Sequence, residues 1–381
     1  MSAGCRGLPL IKVGRSIRGG RPSVAQNHDI SPTGEAPSRD RWIDTVKGVA
    51  IALVVFGHSI KILTGDGWEV ANTWQQLNVV IGQWRMPVFM LVAGFFVTRS
   101  ITKYGSRFWR LRPLNMLWLF AFWTAVYWVA YPVIGAVDPG KTAGEMFTSI
   151  ARDTAMFHSY LWFLLALAIY YAVQGLLGVD PRRWAVVLAS LLFLIFVPGI
   201  VDDVTWGVNE LGTNWLFFLV GAWWSENIRS WVSRVRPWQG VLWCLAFAGA
   251  IVVWMPTRDV PVLQHFGAAL PPLLALPAGL WLLSRLDGRP GLRWARTVGT
   301  RSLAVYVLHP LLMQALIALV ALVVVDPSGS ALAAPVYWAG VPVFTVVAIL
   351  LCLAIHRLTA GVPYLWSLPA PRPTRERAPS A

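Results

Sequence analysis

Apolar runs close to 20 residues long recur from one end of this chain to the other, and that repetition leaves few folds open. A bilayer core is crossed by about 20 residues of helix. Inside hydrocarbon every backbone N–H and C=O must find a partner within the protein, which a helix supplies along its own length. Of the 381 residues, 56% are hydrophobic and only 13% are charged, against about 25% charged in a soluble domain. The expected fold class is all-α: a polytopic transmembrane helical bundle.

About ten spans are read, at 45–63, 77–98, 114–134, 160–178, 184–200, 212–228, 238–256, 267–285, 298–325 and 335–358. Loop charge orients them. Arg99, Lys103, Arg107, Arg110 and Arg112 follow the second span, and Arg182 and Arg183 the fourth. Arg229, Arg234 and Arg236 follow the sixth, Arg285, Arg289, Arg293 and Arg296 the eighth, and Arg357 the tenth. The alternate loops hold Asp66, Glu69, Asp138, Glu145, Asp153, Asp202, Asp203, Glu210, Asp259 and Asp326. Basic residues gather on the cytoplasmic side of a membrane, so both termini are expected in the cytoplasm. The domain reading is a basic, disordered tail at 1–41, a membrane domain at 42–360, and a Pro/Arg-rich disordered tail at 361–381. No internal repeat is visible.

The net charge of +14 does not point to nucleic acid, because the basic residues sit as short clusters between apolar runs; membrane lipid is the expected partner. Cys5, Cys244 and Cys352 are far apart and match no metal spacing. Neither a metal site nor a permanently bound cofactor is expected. G-x-S-x-G, Walker A and G-x-G-x-x-G motifs are absent from the sequence.

Ionisable groups inside a membrane are costly and mark function by default. Span one carries three along one line: Asp44, Lys47 and His58. At about 100° and 1.5 Å per residue, Lys47 and His58 are separated by roughly 20° of net rotation and roughly 16 Å. The bland readings are a packing histidine, a lysine snorkelling to the interface, and an aspartate favouring the helix N-terminus. Span two places Arg85, beside Pro87, near the depth of His58. Arg85 is read either as the wall of a cavity or as the partner of a loop carboxylate such as Asp66 or Glu69. Arg107 and Arg110 follow, level with Lys47, and are read as topology signals or as an anion site, since arginine forks suit phosphate. His158 opens span four, and His309, followed by Pro310, lies in span nine. A histidine bonded to a freed carbonyl is the plain reading of the latter. Buried His and Arg also line transport paths, so a transporter or flippase for a saccharide or lipid-linked substrate is the alternative to an enzyme.

Several segments together resemble the acyltransferase 3 family of integral membrane O-acyltransferases. They are Arg41-Trp42-Ile43-Asp44-x-x-Lys47-Gly48 with His58 eleven residues on from the lysine, then Met86-Pro87-x-Phe89 with Ala93-Gly94-Phe95. Arg107-x-x-Arg110-Leu111-x-Pro113, Leu161-Trp162-Phe163-Leu164 and Ser302-x-x-x-Tyr306-x-x-His309 follow in order. Lys47 stands where arginine is commoner in that family, and Ala93 where serine is usual. The resemblance implies transfer of an acyl group, often acetyl, from cytoplasmic acyl-CoA to a hydroxyl of a carbohydrate or glycosylated metabolite. On that reading Lys47, Arg107 and Arg110 hold the donor's phosphates. His58 acts as general base or transient acyl carrier, and Arg85 stabilises an oxyanion or orients the acceptor. His309 and Asp44 support them. Asp44 lies roughly 21 Å from His58 along the helix, too far to pair with it, but within reach of Lys47.

Overall fold

The computed structural model describes residues 41–134, 143–155, 159–197, 206–257, 260–324 and 326–368. Residues 1–40 of the first predicted tail, the chain beyond 368, Asp138, His158, Asp202, Asp203 and Asp259 lie outside the described residues, as does Cys5. The described residues are helical, in the order α1 (Arg41–Gly65), α2 (Asn72–Gly94), α3 (Val97–Tyr104), α4 (Asn115–Val133), α5 (Ala143–Ala155), α6 (Trp162–Leu177), α7 (Arg183–Phe196), α8 (Trp206–Arg234), α9 (Pro237–Thr257), α10 (Pro261–Leu286), α11 (Arg293–Gly299), α12 (Ser302–Ala321), α13 (Ala333–Pro335) and α14 (Val341–Thr359). A π-helical turn, Arg110–Leu114, leads into α4.

Where its residues are described, each predicted span falls mainly on helix. Among the described residues seven helical stretches are long and apolar enough to cross a membrane, counting α2 with α3, α4 with its π turn, and α13 with α14 as one stretch each. Two more, α6 and α7, are apolar but have only 16 and 14 residues. The predicted sixth span, 212–228, is the middle of the 29-residue α8, whose backbone leaves helical geometry at Trp224. Helix α2 runs on through Pro87 to Gly94. The predicted disorder from 361 does not extend through Leu368. There the indoles of Trp118 and Trp123 donate to the carbonyls of Tyr364 and Leu365, and Leu368 N–H donates to the Asn115 side chain. The side chains of Leu365 and Trp366 pack on the core.

Helix α1 is the centre of the bundle. Of its most apolar 18-residue window 61% is buried, against 22% for α4 and 17% for α9. Its Ile51, Val54, Val55, Ile60, Ile62 and Leu63 share one core with α4, α6, α12 and α14. Ile43, Val46 and Ala50, nearer its start, share another with α2 and α10. Helices α9 and α14 instead expose Leu245, Val252, Val253, Val346 and Leu350, the apolar surface that a bilayer solvates. Because lipid is as apolar as these side chains, close packing rather than the hydrophobic effect holds such helices together. The crossing of α1 and α11 shows how close it becomes. Gly48 lies against the Ala295 backbone and Gly299 against the Asp44 carbonyl, and a Cβ on either glycine would overlap backbone atoms.

A polar clamp fixes the same end of α1. Thr45 Oγ1 donates to Asp287 Oδ1 at 2.6 Å, and Arg296 Nη2 donates to the same oxygen at 2.8 Å. Burial raises the Asp287 carboxyl, but these hydrogen bonds together outweigh it and hold the group below its ordinary range.

Candidate active site

One face of α1 lines a cavity of about 720 Å³. Lys47, Ile51, Val54, His58 and Lys61 recur at steps of four, three, four and three residues, the spacing of a single helical stripe. The opposite wall is α2, with Asn78, Arg85, Met86, Phe89, Val92 and Ala93. Residues around the start of α6, Glu210 of α8, Ser302 and Tyr306 of α12, and Arg112 of the π turn close it. The side chains between the polar ends are Ile, Val, Leu, Met and Phe.

His58 is held from two sides. Its Nδ1 lies 2.7 Å from Nε2 of His309, and His309 Nδ1 lies 2.8 Å from the Val305 carbonyl. The Tyr160 ring meets the His58 ring edge to face, with centroids 5.0 Å apart. Tyr306 secures that side: its hydroxyl donates to the Tyr160 carbonyl at 2.6 Å and accepts from Phe163 N–H at 3.1 Å. The Ser302, Tyr306, His309 spacing therefore puts three side chains on the α12 face toward the site, and His309 is fully buried.

Arg85 reaches the same end. Its Nη1 donates to Asn78 Oδ1 at 2.6 Å and to the Leu53 carbonyl at 3.3 Å. Its hydrogen-bond partners are thus a neutral amide and a backbone carbonyl, not Asp66 or Glu69, the alternative to the cavity-wall reading. Gly57, just before His58, leaves room for the guanidinium where it stands: a Cβ there would overlap Arg85 Nη1 and Asn78 Oδ1 and push those side-chain ends aside. Glu210, assigned to a loop by its charge, instead lies on α8 and in the cavity wall. Asn214, one turn on, donates to its Oε2 at 2.8 Å.

At the other end Lys47 Nζ pairs with Asp44 Oδ1 at 2.7 Å. The second cation there is Arg112, whose Nε and Nη2 both donate to Ser100 Oγ, at 3.1 and 2.9 Å. Its guanidinium lies 5.9 Å from the centroid of Tyr171. Arg107 and Arg110 are exposed and are not among the residues lining the cavity. Lys47, His58 and Arg85 are thus brought to one cavity, with His309 directly behind His58, whereas the arginine that joins them is Arg112. Among the described residues no cluster of His, Cys, Asp or Glu could hold a metal ion.

Such a cavity can do acyl chemistry: cations for a polyanion at one end, an apolar passage, and an imidazole and a guanidinium at the other. The family model described as "Acyltransferase domain" matches residues 40–357. Among individual proteins, the inner membrane protein YcfT of Escherichia coli is 24% identical over 72% of this chain and 80% of its own length. The nodulation protein NolL of Mesorhizobium japonicum is 24% identical over 62% of this chain and 56% of its own. Glucans biosynthesis protein C of Salmonella schwarzengrund is 25% identical over 42% and 47%. No solved structure matches significantly. The family model covers most of the chain, including Lys47, His58, Arg85 and His309, and the chain accordingly belongs to this acyltransferase family, as a multi-pass membrane enzyme.

Proposed function

We propose that this plasma-membrane enzyme moves an acyl group from acyl-CoA, bound at the Lys47 end, to a hydroxyl of a carbohydrate or glycosylated acceptor at the His58 end. The observation that carries the reading is the single cavity joining Lys47 and Arg112 to His58 and Arg85. A nucleotide phosphate chain suits the two cations, where an arginine fork offers charge-assisted hydrogen bonds. The apolar passage suits a flexible arm and its thioester. Loop charge supports a cytoplasmic Lys47 end, the side on which acyl-CoA is made. The acceptor class is supported by relatives whose names point to nodulation and glucan biosynthesis.

In the proposed step His58 takes the proton of the acceptor hydroxyl as that oxygen bonds to the thioester carbon. An imidazole is suited to this near neutral pH. Negative charge develops on the former carbonyl oxygen, which Arg85 stabilises. The C–S bond then breaks, and the departing sulfur takes the proton from His58. An ester and a free thiol result, and His58 is neutral again. Attack by His58 itself, giving a transient acyl-histidine, uses the same geometry.

Purified protein incubated with radiolabelled acetyl-CoA and saccharide acceptors tests this. Label should pass to the acceptor with wild type and fail with His58→Ala. Undiminished transfer by the variant would overturn the assignment.

A further inference from the structure

Building on the acyl-transfer reading, the geometry points to His309 as a positioning residue that fixes the tautomer of His58, through a proton order set by the Val305 carbonyl. The two imidazoles are nearly parallel, 11° apart, with centroids 5.0 Å apart and facing nitrogens at 2.7 Å. That centroid separation is what the nitrogen gap plus the two ring radii add up to. The line between the nitrogens therefore passes through both ring centres. The rings lie end to end in nearly one plane, not face to face, and an N–H on either nitrogen points along the line at the other. This is a well-aligned hydrogen bond, and it holds one proton.

Which ring owns that proton follows from the second contact. A carbonyl oxygen only accepts, so His309 Nδ1, 2.8 Å from Val305 O, carries a hydrogen. A neutral His309 then has a bare Nε2, which accepts. His58 must donate from Nδ1, and its own Nε2 is left unprotonated. The alternative, a doubly protonated His309 donating to His58, puts a cation on a side chain with no exposed surface. The charged groups that line the cavity with His58 are the cations Lys47, Lys61, Arg85 and Arg112, which repel a further cation, and the carboxylate of Glu210, whose Oε2 accepts from Asn214; no carboxylate bonds either ring. Burial and the neighbouring charges therefore both favour the neutral pair.

The consequence is specific. With Nδ1 committed to His309, Nε2 is the nitrogen of His58 left for substrate, and it is already the basic one. A free imidazole exchanges its two tautomers, whereas this one is held in the reactive form before substrate arrives. In serine hydrolases a carboxylate does the same for its histidine. Here a neutral ring backed by a main-chain carbonyl does it, so the site holds no fixed negative charge behind the base. When His58 takes the hydroxyl proton, Nδ1–H stays bonded to His309, which orients the imidazolium without removing its proton.

The experiment is nitrogen NMR of ¹⁵N-histidine-labelled protein in lipid nanodiscs, paired with acetyl-CoA turnover. In wild type without substrate, His58 should show protonated Nδ1 and bare Nε2, with ¹⁵N–¹⁵N coupling across the hydrogen bond to His309. His309→Leu removes the acceptor: the coupling should vanish and His58 should populate the Nε2–H form. Its kcat should fall about 10- to 100-fold, the scale seen when a metal-ligating histidine loses the partner that orients it, with the donor KM within about twofold. His309→Gln places an amide oxygen near the lost Nε2 and should restore the tautomer and most of kcat. Wild-type His58 found mainly as the Nε2–H form overturns the inference. So does His309→Leu with an unchanged tautomer or an unchanged kcat. If the leucine variant does not fold, the wild-type spectrum and the glutamine variant still decide. The tautomer is read without turnover, so a protein that shows it yet transfers no acyl group counts against the proposed activity and leaves the proton order standing.

Discussion

The two ends of the cavity are built differently. At the His58 end the catalytic candidates are fixed: imidazole on imidazole on carbonyl, and guanidinium on amide and carbonyl, with Gly57 clearing the space between. At the other end two cations, Lys47 held by Asp44 and Arg112 by Ser100, are each only partly buried. The first end suits a step whose rate depends on sub-ångström placement. The second suits a flexible polyanion, which needs charge more than a fixed angle.

The sharpest way to break the contrast is at the rigid end. His58→Ala should lower kcat about 100- to 10,000-fold, the range of general acid–base contributions, while the donor KM stays within about threefold. A variant that loses donor binding instead would mean that His58 belongs to the binding end. Gly57→Ala is subtler, because it leaves every polar group in place. Its methyl claims the space of Arg85 Nη1 and Asn78 Oδ1, and kcat should fall about tenfold to a hundredfold as the guanidinium is displaced, with melting temperature little changed. At the cationic end Arg112→Ala should raise the donor KM about tenfold, the loss of one charge-assisted contact, and leave kcat nearly alone. Arg107→Ala and Arg110→Ala should do neither beyond about twofold, as exposed charges contribute little. Equal effects from all three arginines would indicate a diffuse field rather than a site.

The smallest effect concerns the clamp on the start of α1. Asp287 is held below its ordinary carboxyl value in the folded protein. Its contribution to stability is therefore complete above its unfolded value and is lost as pH falls through the lower, folded one. Thermal melts of wild type and Asp287→Asn should differ near neutral pH and converge in acid. A gap that persists in acid would show that the side chain matters for its shape and not for its charge.

How much of this was legible in the sequence depended on whether a local period carried it. The α1 stripe was, because Lys47 and His58 obey the helical repeat, and so was the placing of Arg85 near the depth of His58. Tyr306 and His309 were visible as a motif, but not as what stands behind His58. The two histidines are 251 positions apart, and no local pattern encodes that meeting. Arg112 was passed over for Arg107 and Arg110 because the segment was read as a loop whose Arg-x-x-Arg pair stood out, whereas the backbone makes a π turn there, and such an extra residue per turn re-aims every side chain around it. Glu210 was misplaced for the opposite reason: a charge usually marks a loop, and here it faces a cavity. The Leu365 and Trp366 docking was hidden behind the Pro and Arg composition of the residues that follow.

The distance along α1 has one more consequence. Lys47 and His58 are fixed to the same rigid rod, roughly 16 Å apart. On the proposed reading, with the donor's charge held at one mark and bond-making at the other, the helix would work as a ruler. It would favour donors whose anionic group and activated carbonyl are separated by a comparable reach. A compact donor such as acetyl phosphate, whose charge adjoins its carbonyl, would reach one mark but not both.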